Sequence, residues 1–133
     1  MIIFKALILA IIIKGSSFGQ VPVDSSLINA IHQVETGGKL GPIRGKHGEL
    51  GPFQITKAYW IDSKVKGNFS QCSDYDYSVR VVEAYFNKYG RDYLTKKDYE
   101  ALARLHNSGP DWKKKTPKTD NYWLLIKKQI NGK

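Results

Sequence analysis

HQVETGGKLGPIRGKHGELGPFQI, residues 32–55, decides how the rest of the chain is read. Upstream of it, Asp24 is a good helix start. Leu27, Ile31 and Val34 repeat at helical spacing, which predicts a helix over about 25–36. Glu35 lies four residues beyond Ile31 and so continues the apolar stripe. Gly37, Gly38, Gly41, Pro42, Gly45, Gly48 and Gly51 then prevent a continuous helix. Residues 39–54 are expected to form turns and a short, irregular β-hairpin. A carboxylate therefore stands at the end of an apolar helix face, where a glycine-rich segment begins.

Beyond the hairpin, Thr56 is a candidate cap for a short helix through Trp60 and Asp62. Residues 63–72 read as a surface loop. Tyr75, Val79, Val82, Phe86 and Tyr89 alternate at +4 and +3, which predicts a helix over 74–89 with Gly90 as its stop. Tyr99, Leu102, Ala103 and His106 share a face of a further helix over 96–106, ended by Ser108-Gly109-Pro110. Residues 111–119 read as a basic loop, and 120–130 as a last helix carrying Tyr122, Trp123, Leu125, Ile126 and Ile130. The fold class is α+β and mainly helical, with a small β-hairpin beside the first helix.

The chain has 133 residues, which favours one domain. Residues 1–19 read as an export signal. Lys5 gives the positive start, Ala6 to Ile13 an apolar core, and Ser17-Phe18-Gly19 small residues for cleavage. The apolar run is shorter than the ~20 residues of a membrane span. The expectation is a secreted domain over 20–133 with no membrane attachment after the signal is removed. A single Cys72 allows no internal disulfide, and reads as a structural or incidental thiol. No cysteine–histidine cluster suggests zinc, so neither metal nor cofactor is expected. Asn68-Phe69-Ser70 fits a glycosylation acceptor.

The formal charge is +9, of which Lys5 and Lys14 would leave with the signal. Such a balance suits an anionic partner: nucleic acid, acidic lipid or a bacterial cell wall. No nucleic-acid motif accompanies it. Lys113, Lys114, Lys115 and Lys118 make a basic stretch, either a solvated surface or a contribution to wall attraction.

Burial disfavours an ionised carboxylate and raises its pKa. An acid that keeps its proton near neutral pH can give it to a leaving oxygen, as breaking a glycosidic bond requires. Glycines beside it would let backbone approach a bulky sugar chain. Glu35 read alone fits this role, or fits a plain helix end facing water.

The segments VETGG, LGPFQITKAYWID and ALARLHNSGPDWKKKTPKTDNYW resemble, in that order, the invertebrate-type lysozymes, the destabilase-like family. The likeness runs over nearly all of 27–128. It implies a lysozyme-like fold and cleavage of the β-1,4 bond between N-acetylmuramic acid and N-acetylglucosamine in bacterial peptidoglycan. Glu35 matches the family's general acid. Gln54, Tyr59, His106, Asn107 and Tyr122 match polar or aromatic positions lining its cleft, and such groups suit sugars. His106 equally fits a satisfied core histidine, and Trp60 and Trp123 core packing.

Three departures stand out. The family's disulfides are missing, with Ser63 in a cysteine's place. Ser108 replaces a glycine of the His-Asn-Gly-Gly-Pro pattern. The family's second catalytic residue, an aspartate before the Gly-Pro-Phe-Gln-Ile run, has no counterpart in residues 43–50. Glu49 is the only carboxylate there and is the candidate second catalytic residue, with Asp62 behind it. The expected function is a secreted, monomeric muramidase acting through Glu35. The alternative is a catalytically weakened peptidoglycan- or chitin-binding protein. An isopeptidase activity, reported for some members, would need a hydroxyl of Ser63 or Ser108 activated by His106.

Overall fold

A computed structural model describes residues 19–132. The export-signal expectation for 1–19 thus lies outside the described residues, Gly19 excepted. Six α-helices carry the fold: α1 (Ser25–Thr36), α2 (Lys57–Ser63), α3 (Tyr75–Tyr89), α4 (Arg91–Lys96), α5 (Tyr99–Ser108) and α6 (Thr116–Asn131). Two 3₁₀ turns, Phe69–Ser73 and Trp112–Lys115, join them. No described helix is long and apolar enough to cross a membrane.

Helix α1 forms where the apolar period predicts, burying Leu27 and Ile31 completely. Asp24 precedes it but makes no side-chain cap. Its carboxylate instead accepts a hydrogen bond from Tyr99 and lies 3.8 Å from Lys97, tying the start of α1 to the start of α5. Gly37 ends the helix in the left-handed conformation, its N–H donating to the Gln33 carbonyl and the next N–H, of Gly38, to that of His32. Thr56 does cap α2, accepting from the Tyr59 N–H at 3.2 Å.

The segment expected as a hairpin pairs only at two isolated antiparallel bridges, Arg44–Leu50 and Leu50–Ile55. Positive φ at Gly41, Gly48 and Gly51 turns the backbone too often for a ladder to extend. Residues 63–72 are more than a surface loop. Ser63 ends α2 as a buried residue, Phe69 packs on the core, and Cys72 is fully buried. Asn68 and Gln71 box the turn between them.

Helix α3 keeps its predicted length, capped by Asp74. Its buried face is centred on Ser78, Val81, Val82, Tyr85 and Phe86, one residue round from the predicted stripe. Gly90 stops it without a left-handed turn, at φ −135. Glycine is needed there for packing, since a Cβ would stand 2.9 Å from Leu105 Cδ2. The six-residue α4 is absent from the sequence expectation, being too short for a periodic signal. The basic stretch at 111–119 is no loop: it forms a 3₁₀ turn and the first turn of α6, where Pro117 is well tolerated.

Helix α6 packs against both α1 and α5, and α3 against α2, α4 and α5. Leu27, Ile31, Phe53, Phe86, Leu102 and Ile126 are among the fully buried core. Without disulfides, polar clamps add to apolar packing. Buried Arg104 of α5 donates to Asp120 at 2.7 Å, Thr119 at 2.8 Å and the Thr116 carbonyl at 3.0 Å, all on α6, and to Glu100 at 3.2 Å.

Candidate active site

Glu35 sits in the last turn of α1, and the Gly-Pro-Phe-Gln-Ile turn is fastened beside it. Thr36 Oγ1 donates to the Pro52 carbonyl at 3.1 Å. Phe53 is fully buried and its ring lies 5.5 Å from that of His32. Gln54 follows in the left-handed region at φ 50, unusual for a residue with a side chain. Such strain, on the order of 1 kcal/mol, persists where the surroundings determine it.

A cleft of about 390 Å³ opens between these elements. Glu35, Glu49, Gln54, Tyr59, His106 and Asn107 line it, as do Asp62, Tyr85 and Ser108. Tyr122 does not line it. Its hydroxyl is buried behind Glu35 and meets no partner at full hydrogen-bond geometry, yet it approaches the Glu35 carboxyl closely enough to favour ionisation.

The Glu35 side chain is 17% exposed. Burial pushes its pKa up to about 7; Tyr122 opposes the rise and the charge of Glu49 adds to it. Glu35 therefore holds a proton near neutrality. Asp62 serves elsewhere: its carboxylate accepts from the Tyr89 hydroxyl at 3.2 Å, and its charge is felt at Tyr85.

His106 is buried between two partners. Nε2 lies 3.1 Å from the Phe53 carbonyl, which can only accept, so Nε2 carries the proton. Nδ1 then accepts from the Tyr59 hydroxyl at 3.0 Å. Burial lowers the His106 pKa to about 4, against the pull of the Phe53 carbonyl. At neutral pH the ring is uncharged, so the 4.0 Å approach of Nε2 to Glu35 is no ion pair. With both nitrogens engaged, the ring has no free base for Ser108 or Ser63. Ser63 itself donates to the Trp60 carbonyl at 2.6 Å.

Tyr59 completes the wall, stacked on Tyr85 with centroids 3.6 Å apart. Tyr85 escapes sequence reasoning, although its i, i+4 spacing to Tyr89 marks one helix face. Trp60 donates its Nε1–H to the Tyr77 hydroxyl at 2.8 Å, a packing role. Among the described residues no cluster of three metal-ligating side chains occurs.

The family model described as Destabilase matches residues 24–129. A lysozyme of Ostrea edulis is 41% identical over 88 residues, covering 64% of this chain and 63% of that protein. The chain thus spans less than two thirds of that relative's length. An invertebrate-type lysozyme of Ruditapes philippinarum is 33% identical over 86% of this chain and 88% of its own. The crystal structure of Tapes japonica lysozyme superposes with a TM-score of 0.65 at 32% identity, covering 79% of this chain and 89% of that one.

Proposed function

The chain belongs to the Destabilase family, that of the invertebrate-type lysozymes, and from that membership we propose that it is an exported muramidase. Its substrate is the β-1,4 bond between N-acetylmuramic acid and N-acetylglucosamine in bacterial peptidoglycan. The observation that carries this reading is the Glu35 carboxyl, sunk in the cleft wall with its pKa pushed up to about 7. A carboxylic acid of that strength is still protonated near neutrality and gives its proton to the leaving glycosidic oxygen.

Neutral His106 and Tyr59 hold the wall rigid beside Glu35 without neutralising it. Glu49, whose charge reaches Glu35, supplies the second carboxylate in place of the family's aspartate. The stacked Tyr59 and the exposed Asn107 offer an apolar face and amide hydrogen bonds to a sugar. The net charge, +9 for the full chain and still strongly positive once Lys5 and Lys14 leave with the signal, favours approach to an anionic wall. The leader-like residues 1–19 support secretion.

The test uses purified protein on a suspension of bacterial peptidoglycan. Glu35→Gln should lose on the order of 100-fold or more of the clearing rate, with unchanged circular dichroism. Equal clearing by both proteins removes the proposal. A second reading, wall binding without cleavage, draws on the absence of an aspartate from residues 43–50. Retention on insoluble wall with no release of reducing ends would favour it.

A further inference from the structure

A second hollow, of about 490 Å³, adjoins the catalytic cleft between the end of α3, helix α4 and Lys113 of the second 3₁₀ turn. The two share walls. Tyr85 lines the cleft and meets Tyr89 of the hollow edge-on, with centroids 5.0 Å apart. Asp62 also lines the cleft and is held from the hollow's side. Its carboxylate accepts from the Tyr89 hydroxyl and its backbone carbonyl from Lys88 Nζ, both at 3.2 Å. Opposite, Ser108 and Gly109 end the cleft's α5 wall, and the Trp112 N–H donates back to the Gly109 carbonyl, just before Lys113. A chain leaving the cleft past Tyr85 and Gly109 therefore runs into the hollow.

The charges of the hollow are mixed, with cations in excess. Lys88, Arg91, Lys96 and Lys113 line it, against Asp92 and Asp98. Lys88, Lys96 and Lys113 are exposed, and none of the three makes an ion pair among the described residues. Lys88 Nζ lies 5.0 Å from the Tyr89 ring, and Lys113 Nζ 5.8 and 5.7 Å from those of Tyr93 and Trp112. Such ring contacts position an ammonium group without neutralising it. The sugar hydroxyls and acetamides of peptidoglycan are uncharged. Its muramic acids, however, carry short peptides with free carboxylates, an ammonium group on the diamino residue, and apolar side chains. Resting on the muramidase reading, we infer that the hollow is a specificity subsite for this stem peptide. Lys88 and Lys113 take its carboxylates, Asp92 its ammonium group, and Tyr89 and Tyr93 its apolar parts. A polyphosphate chain of the wall would set like charges against Asp92 and Asp98, which the mixed lining disfavours.

The test compares two synthetic tetrasaccharides of N-acetylglucosamine and N-acetylmuramic acid bearing the same stem peptide. One has free peptide carboxylates, and the other has every one converted to the amide. At low ionic strength the wild-type chain should cut the free acid with kcat/KM on the order of tenfold higher, the difference lying in KM. High salt should erase the preference. In the double variant Lys88→Gln/Lys113→Gln the two substrates should approach parity. Equal kcat/KM in the wild type overturns the inference and leaves the muramidase reading standing, whereas no hydrolysis of either substrate removes both. A preference that survives in the folded double variant also overturns it. So does inhibition of the wild type, but not of the variant, by poly(glycerol phosphate) when the two substrates are cut equally; the hollow then takes a phosphate polymer. If the variant does not fold, the wild-type ratio at low and high salt decides.

Discussion

Replacing Glu35 with glutamine should stabilise the protein at alkaline pH while removing its catalytic proton. In the folded chain burial pushes the Glu35 pKa up to about 7 from its ordinary 4.5. Between those values the folded state still holds a proton that the unfolded chain has released. Stability therefore falls as pH rises through that window. At ~1.4 kcal/mol per unit, the whole window amounts to about 3 kcal/mol. Glutamine has no charge to bury, so Glu35→Gln should exceed the wild type by about that much near pH 8.5. The advantage should shrink through neutrality and vanish below about pH 4.5. His106 contributes in the opposite sense. Its folded pKa is lowered from 6.5 to about 4, so its stability contribution is lost as pH falls through that range. That contribution is common to both proteins and cancels in their difference. Urea unfolding followed by tryptophan fluorescence, run at four pH values from about 4 to 8.5, gives the difference directly. A stability gap that stays constant across that range refutes the burial argument for Glu35.

Three further outcomes follow from the same geometry. Tyr122→Phe removes the hydroxyl that favours ionised Glu35, so the alkaline limb of the pH–rate profile should move to higher pH; an unmoved limb contradicts the assigned contact. Arg104→Ala should cost about 2 kcal/mol in urea unfolding, because the buried α5 side of the clamp then loses its bonds to α6. Gly51→Ala should cost about 3 kcal/mol or more, read as a lowered Tm, since φ 83 and the Cys72 carbonyl both oppose a Cβ there.

What the sequence determined by itself is local. The 3.6-residue spacing of Leu27, Ile31 and Val34 puts Glu35 on the inward side of α1, and the same logic gives most of α3 and α5. The glycines of 37–51 exclude a helix there, and the ordered short segments give the family. Local periodicity also has limits: it places α3 one residue away from its buried face, and it passes over α4. Only the tertiary structure decided the chemistry. The pKa of Glu35 depends first on its burial in the folded cleft wall and then on Tyr122 from α6. His106 is neutral because the folded core buries it, between Phe53 and Tyr59 from about fifty residues earlier. Asp24 leaves its cap for Tyr99 and Lys97. Spacing along a chain reports which side of a helix faces inward. Desolvation and hydrogen bonding are sums over neighbours brought from distant parts of the chain, and these exist only once it has folded.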